Sequence, residues 1–545
     1  MIKDLLQKID INLDHVDEKL KETILTLFNI IEELTKDNSE LRQDNQRLRD
    51  EINSLKGEQG KPDIKPNRKN ISSEKERKKQ DKTVHKKRRK NPHIKINRTE
   101  ICELDKSRLS ADAKFKGYQS VIVQGLKIQT DNVEFKKEVY YSASEKKTYI
   151  AELPSGYQGG YNPGIKALAI IFKNVCNMSE SKILDFFTNA GVVISAGTIS
   201  NMLIKDNGQF HQEKKDLVTA GLESTEHQQI DDTKARVNGQ NYHTHILCNQ
   251  YYTAFTTTQN KNRLSAIEVL QNGNPLQFCL NQQALEILAQ LKTGGKYRPQ
   301  LEAFASEKSY SQDEFKALIS PLLNQTAVSM VMEVAAIAAY RKGEDHPVID
   351  KLLCDDAPQF KLICQLLALC WVHEGRHYKK LSPALKYNAK KLTKFIAQFW
   401  AYYDNLLAYK NSPSPENADI LSTEFDQLFS TRTGYKDLDE RILKTNAKKD
   451  ELLLGLKYPE IPLHNNAAEL AARVIARKRD VSLHTMTEEG TKANDTFLSI
   501  IETCKKLRVN PFHYLFDRIS KKYELPSLAE IIKSISKNKL ALAID

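Results

Sequence analysis

STEHQQIDDTKARVNGQ, at residues 224–240, is followed at once by YHTHILCN at 242–249 and YYTAFTTTQ at 251–259. The three runs are rich in β-branched and aromatic residues. Asn238-Gly239, a pair suited to a tight hairpin, separates the first two, and a second turn falls near Asn249. This order predicts a three-stranded meander whose first strand carries Asp231 and Asp232. A fourth strand, VIDKLLC at 348–354, runs into Asp355 and Asp356. Far downstream, PLHNNAAELAARVIARKRD at 462–480 reads as a helix. Asn465 and Asn466 suit its N-terminus, because Asn accepts from the unpaired N–H groups of a first turn, and the alanines favour helix. Glu469 stands early in this basic, apolar run. Arg473 and Arg477, four and eight residues on, share its face, so an exposed i,i+4 ion pair is the local alternative to a functional role.

An aspartate in a first strand, an aspartate at the end of a neighbouring strand and a glutamate on a covering helix together describe a two-metal phosphodiester site. Hard Mg²⁺ ions take carboxylate oxygens and keep positions open for phosphate and water. Two such ions about 3.5–4 Å apart activate an attacking oxygen and stabilise a leaving one. Asp231 would bridge both ions, with Asp355 and Glu469 each holding one; Mn²⁺ would substitute. Asp232 and Asp356 stand as alternative ligands. Arg376, Arg473, Arg477 and Lys478 would hold phosphates or form surface ion pairs. Cys370 and His373, one helical turn apart, supply too few ligands for zinc, and His373 reads as a core histidine. His243 and His245 share a strand face and read as polar surface.

Outward from these acids, residues 262–345 and 380–460 read as helical excursions, and FKLICQLLALCWVHEGRHY at 360–378 as a helix following Asp356. Upstream, residues 101–153 alternate apolar and polar, as in SVIVQGLKIQ and KEVYYSAS, which predicts a small β-rich module. MSESKILDFFTNAGVVISAGTISNMLI at 178–204 reads as helix, turn, helix. Ser179 and Ser195 would cap the two helices, and Gly191 sits in the turn. Thr198, Ser200 and Asn201 on the second helix suit phosphate and base-edge contacts, with a purely structural hairpin as the alternative.

Leu13, Leu20, Leu27, Leu34, Leu41, Leu48 and Leu55 recur every seven residues, with Ile24, Ile31, Asn38, Asn45 and Ile52 at the other apolar heptad position. This pattern predicts a dimerising coiled coil, in which a buried Asn fixes a parallel register; the alternative is a long amphipathic helix packed on its own body. Residues 61–98 carry 16 Lys/Arg against four acids, which equals the chain's whole formal excess of +12. Such an arm, with HKKRRK at its centre (Lys86, Lys87, Arg88, Arg89, Lys90), is the footprint of a polyanion: nucleic acid, or less often an acidic membrane surface. With 40% hydrophobic and 28% charged residues and no apolar run of membrane-spanning length, the 545-residue chain is expected to be cytoplasmic and multidomain. Its eight cysteines form no C-x-x-C pair, which argues against a disulfide framework or a four-cysteine zinc knuckle.

Several ordered blocks resemble the transposases of the Insertion Sequence 66 family, of the DDE class with a ribonuclease H-like catalytic core. IDDTKARVNG is similar to that family's first-aspartate block; LLCDDAPQF and LCWVHEGRHYKKL to its second-aspartate block and Cys-x-x-His signature; PLHNNAAELAARVIARKRD to its glutamate block, with His464 where Asp is usual. GYNPGIKALAI and ISAGTISNML are similar to the region upstream of the core. Only Cys102 remains where the family's small zinc finger usually carries several cysteines. The resemblance implies Asp231, Asp355 and Glu469 as catalytic metal ligands, DNA as partner, helper proteins encoded beside it, and association with the bacterial nucleoid.

The expected architecture is therefore multidomain α+β: a coiled coil at 1–57, a basic arm at 58–100, a β-rich and helix-turn-helix-like DNA-binding region at 101–215, a ribonuclease H-like α/β core at 216–515 with its two helical insertions, and a helical tail at 516–545. The expected activity is cleavage of insertion-sequence ends and joining of their 3′-hydroxyls to target DNA. The rivals are a metal-dependent nuclease of the same fold and a non-catalytic coiled-coil DNA-binding protein.

Overall fold

The computed structural model describes Leu6, Leu13 and residues 16–56, 95–105, 113–157, 160–291, 295–343 and 346–542. The chain divides into two units, one of residues 1–65 and 134–545 and one of residues 66–133. In the larger unit, α1 (Glu18–Leu55) precedes a hairpin of β1 (Val139–Ser142) and β2 (Lys147–Ile150). Four helices follow, α2 (Pro163–Asn174), α3 (Glu180–Asn189), α4 (Ala196–Ile204) and α5 (Gly208–Glu223), and then the meander β3 (His227–Val237), β4 (Gln240–Cys248) and β5 (Thr253–Thr258). The first excursion holds α6 (Arg263–Leu270), β6 (Phe278–Cys279), α7 (Gln282–Gln290), α8 (Arg298–Glu302), β7 (Ser309–Tyr310), α9 (Gln312–Ile319) and α10 (Gln325–Lys342). After β8 (Lys351–Cys354), β9 (Leu366–Leu369) and α11 (Trp371–Lys380), the second excursion holds α12 (Lys386–Tyr409), α13 (Pro415–Phe429), α14 (Lys436–Asn446), α15 (Lys449–Leu452) and α16 (Leu454–Lys457). The chain closes with α17 (Asn466–Asp480), α18 (Glu488–Lys506), α19 (Pro511–Ile519) and α20 (Leu528–Leu542).

The central sheet is mixed, in the order β5-β4-β3-β8-β9, with β3, β4 and β5 antiparallel and β8 and β9 parallel to β3. The meander and the fourth strand are as the sequence predicts. The fifth strand corrects it: Leu366–Leu369, expected within a helix, pairs Leu352 with Leu367 and Cys354 with Leu369. A short apolar run fits a buried strand as well as a helix by periodicity, and here the free edge of β8 decides.

Period-two alternation sorts the sheet's two faces. Ile246, Cys248 and Phe255 pack against Ala468, Ala471 and Ile475 of α17 and Leu498 of α18. Ile230, Leu247 and Leu352 face the larger core with residues of α5 and α10. The edge strand β5 is covered by α18: Ser499 Oγ accepts the Phe255 N–H at 2.9 Å, Thr503 Oγ1 the Thr253 N–H at 3.2 Å, and Asp495 the Thr257 N–H at 2.6 Å. These side chains occupy an edge that would otherwise present unpaired donors.

One further expectation is corrected. Residues 95–105 and 113–138 contain no strand, and β1 and β2, four residues each, are the strands of the expected β-rich module among the described residues. Alternation alone builds no sheet without a partner, and Val121, Val123 and Leu126 stay exposed. The N-terminal half of α1 packs on its own unit, where Leu13, Phe28 and Leu385 form a cluster with Ile24, Leu25 and Ile31. Leu34, Leu41, Leu48 and Leu55 beyond it are exposed. No helix among the described residues is long and apolar enough to cross a membrane.

Candidate active site

Three elements bring the acids of the sequence together. Asp231 and Asp232 lie mid-strand in β3, opposite Ile246 and His245 of β4. Adjacent strand residues point to opposite faces, so Asp231 shares the face of Ile246 with α17 while Asp232 turns away from it. Asp355 follows the last residue of β8, the parallel neighbour of β3. Glu469 stands in the first turns of α17, which packs on β3 and β4.

The start of α17 is fixed in an unexpected way. Asn465 is fully buried, and its side chain makes no cap hydrogen bond. Its amide instead donates to the Ile230 carbonyl at 2.8 Å, beside Asp231, and its backbone N–H donates to Cys370 Sγ at 3.2 Å. The helix that carries Glu469 is thereby tied to the strand that carries Asp231 and to the start of α11.

The paired acids separate by their partners. Asp232 is held by Lys261 at 2.6 Å and by the Gln359 amide at 2.7 Å. Asp356 is held by Lys361 at 2.9 Å and Lys448 at 2.5 Å; burial raises its carboxyl, and the two lysines together outweigh that and keep it below the usual range. Asp231 accepts the Asp232 N–H at 2.8 Å and Asp355 the Ala357 N–H at 3.2 Å, and neither forms an ion pair with a lysine or arginine among the described residues. Burial pushes Asp231 up to about 7, against the pull of that N–H, and the charges of Asp355, Asp232 and Glu469 add to the rise. Burial also raises Asp355, against His373 and the Ala357 N–H. Asp231 and Asp355, two carboxylates without an ion pair among the described residues, are donors a hard divalent ion fits, and cation-locked Asp232 and Asp356 are poorer ligands.

Glu469 meets α11 from the other side. Arg376 Nη2 reaches its Oε2 at 2.6 Å, and His373 Nδ1 lies 3.6 Å from Oε1. The ion pair thus comes from a different helix than the i,i+4 arginine. Oε1 is buried and accepts no hydrogen bond among the described residues, an orphan lone pair that a cation would satisfy. Cys370, His373 and Glu469 offer ligand atoms within 4.8 Å of one another, a set of softer character; among the described residues Asp231, Asp355 and Glu469 are not drawn that closely together. Burial pushes the Cys370 thiol up to about 11, which favours its protonated form.

Of the remaining residues singled out by sequence, Arg477 is exposed and Arg473 half-buried on α17. Lys478 is buried: it donates to Asn174 Oδ1 at 2.7 Å and Asn494 Oδ1 at 2.6 Å, and burial brings it down to about 7. It is a tie between helices more than a surface phosphate contact. The hairpin of α3 and α4 has the caps expected of it, with Ser179 accepting from the Lys182 N–H and Ser195 from the Thr198 N–H, and Gly191 turning at φ 88°. Asn201 is exposed, whereas Thr198 is half-buried with its hydroxyl 2.9 Å from Ser195 Oγ. Lys86, Lys87, Arg88, Arg89 and Lys90 lie outside the described residues.

Sequence reasoning missed Lys261, Gln359, Lys448 and the tying role of Asn465, all long-range partners without a local signature. It also misplaced His245, which is fully buried opposite Asp232 with Nε2 3.0 Å from Thr258 Oγ1. Leu247, two residues on and on the same face, was the available sign that this face is internal.

A family model described as "Transposase IS66 family" matches residues 351–493, which include Asp355 and Glu469. The uncharacterized protein y4jO of Sinorhizobium fredii is 32% identical over 309 residues, covering 56% of this chain and 94% of that protein. No solved structure matches.

Proposed function

Because the chain belongs to the transposase IS66 family, we propose that it is a DNA transposase that cuts the ends of its element and joins their 3′-hydroxyls to target DNA. The order β5-β4-β3-β8-β9, an antiparallel meander followed by two parallel strands, supports a ribonuclease H-like core. The observation that carries the reading is the convergence of Asp231, Asp355 and Glu469 from three elements, near enough for the charges of Asp355 and Glu469 to act on Asp231, with Glu469 Oε1 unpartnered.

Asp231, Asp355 and Glu469 would hold two divalent ions, Mg²⁺ with Mn²⁺ as substitute; such ions lower the pKa of water and neutralise charge on phosphate oxygens. The chain's own residues supply the positioning. Arg376 orients Glu469, Asn465 fixes α17 against β3, and Lys261 and Lys448 hold Asp232 and Asp356 away from the reacting phosphate. In the cutting step water attacks phosphorus, the P–O bond to the 3′ oxygen breaks and a free 3′-hydroxyl leaves. In the joining step that hydroxyl attacks a target phosphodiester and displaces a new 3′-hydroxyl. No covalent enzyme intermediate is needed.

Pairing of two chains is supported by the exposed stripe Leu34, Leu41, Leu48 and Leu55 with Asn38 and Asn45 between. Because Ile24 and Ile31 are spent on the chain's own unit, the coiled-coil seam would run from about Leu34 onward. The test is a Mg²⁺-dependent assay on duplex DNA carrying the sequences that flank the gene, with Asp355→Asn alongside. Cut and joined products from the wild type, absent from the variant while its DNA affinity is kept, are expected. Cutting without joining would point to a nuclease, and equal loss of binding and cutting in the variant would remove Asp355 from catalysis.

A further inference from the structure

A second feature lies on the same face of the sheet as Glu469, beyond the C-terminal end of its helix. There a cavity of about 290 Å³ opens between the end of β3, the last turn of α17, residues 482–485 and the start of α18. Thr244 and Thr257, cross-strand neighbours, form its floor; Lys478, Arg479 and His484 bring positive or protonatable groups to its lining, whereas alternation along β3 turns the side chain of Arg236, at its edge, to the opposite face of the sheet, and no carboxylate lines it. Asp495, close by, turns its carboxylate to the Thr257 N–H and hydroxyl at 2.6 and 3.0 Å.

The walls are fixed before any ligand arrives. Val237 bridges to Thr485 as an added rung of the sheet, the Asn238 N–H donates to the Thr485 carbonyl at 2.9 Å, and the Thr485 and Thr491 hydroxyls lie 2.6 Å apart. Arg479 donates to the Lys234 carbonyl at 2.8 Å, which sets its guanidinium at the rim with one of its five N–H donors spent. Arg479 is exposed and forms no ion pair among the described residues. Fixed hydroxyls beside an arginine with N–H donors to spare are the chemistry of a phosphate site.

Its place relative to the carboxylates follows from the two elements that join them. Arg236 is five residues past Asp231 on β3, about 16 Å at the rise of a strand. Arg479 is ten residues past Glu469 on α17, about 15 Å at the rise of a helix. Successive nucleotides of one duplex strand advance by about 3.4 Å. We propose that this cavity binds a backbone phosphate of the DNA, four to five nucleotides (roughly, by that rise) from the phosphodiester being cut, and so sets the register of the strand at the carboxylates. The proposal rests on the transposase reading, and it concerns binding, so it is measured without metal or turnover.

The test uses the full chain and a duplex oligonucleotide carrying the sequence that flanks the gene, with affinity read by fluorescence anisotropy across a salt series. Arg479→Ala is expected to weaken binding and, by losing one phosphate contact, to lower the slope of log affinity against log salt by about one. A single methylphosphonate placed four to five nucleotides (roughly) from the cleavage point should weaken the wild type and leave Arg479→Ala unchanged, since both remove one contact. Arg479 is exposed, so an unchanged melting temperature will show that this variant is folded. An unaltered slope in the variant, or a methylphosphonate effect equal in wild type and variant, would overturn the proposal while leaving the transposase reading standing. Displacement of inorganic phosphate from the cavity without any effect on DNA affinity would overturn it in favour of a small-anion site. A wild type that binds no DNA would sink both.

Discussion

At the scale of single residues, the site depends on what each polar group is tied to. Asn465 has the position of a helix cap and the job of a strap, since its amide spans from α17 to the Ile230 carbonyl. Asn465→Ala should leave that buried carbonyl unpaired and cost about 1–3 kcal/mol of stability by chemical denaturation. Asn465→Asp, close in shape but without the donor and with a charge against a carbonyl, should cost more; an Asp variant as stable as the wild type would refute the strap. The three acids were legible because strand, strand end and helix start each leave a local pattern. The choice of Asp231 over Asp232 rested on resemblance, and a physical reason for it appears only with Lys261 and Gln359, which lie 29 and 127 positions from Asp232 and have no sequence periodicity to betray them. Arg376, read as a phosphate holder or one arm of an ion pair, reaches Glu469, and that partner was hidden because the packing of α11 on α17 cannot be read from either helix alone.

Among elements, α1 shows how one heptad pattern serves two surfaces. Its first turns dock through Ile24, Leu25, Phe28 and Ile31, and Glu32, buried, accepts the Ala384 and Leu385 N–H groups at 2.7 and 3.0 Å. Those N–H groups lead into α12, whose own cap position, Leu385, offers no side-chain acceptor. The leucine repeat was plain in the sequence, but a helix entry held by a glutamate more than 350 residues away was not. Leu41→Asp with Leu48→Asp should convert a dimer to a monomer in sedimentation analysis with the melting temperature of the folded unit unchanged. Glu32→Ala should lower stability by about 1–3 kcal/mol, the loss of a buried charged hydrogen-bonding group, and leave the dimer intact. A dimer that survives the double aspartate variant would mean that the exposed stripe is not the seam. β9 carries the complementary lesson: Leu366–Leu369 has no strand signature of its own, and its state is set by the open edge of β8.

At the scale of the whole molecule, the unit of residues 1–65 and 134–545 is a mixed five-stranded sheet with two long helical excursions inserted between its strands and its last helices. The second excursion is bound back to the site. Trp371 at the start of α11 packs among Phe399, Tyr402, Phe425 and Phe429, and its Nε1 donates to the Leu452 carbonyl at 2.8 Å. Lys448 bridges Asp356 and Glu374 at 2.5 and 3.3 Å. Sequence placed the excursions as helical, but their aromatic anchorage and the lysine they return to the site are properties of packing across long separations. On the proposed function, these elements converge to hold divalent metal on Asp231, Asp355 and Glu469. The most direct measurement is a calorimetric titration of Mn²⁺ into the full-length chain without DNA, repeated with a variant combining Asp231→Asn, Asp355→Asn and Glu469→Gln. The account predicts saturable binding by the wild type, approaching two ions per protomer (roughly, as two-metal sites require), and its loss in the triple variant. Binding that persists undiminished in the variant, or a wild type that takes up no metal, would contradict it.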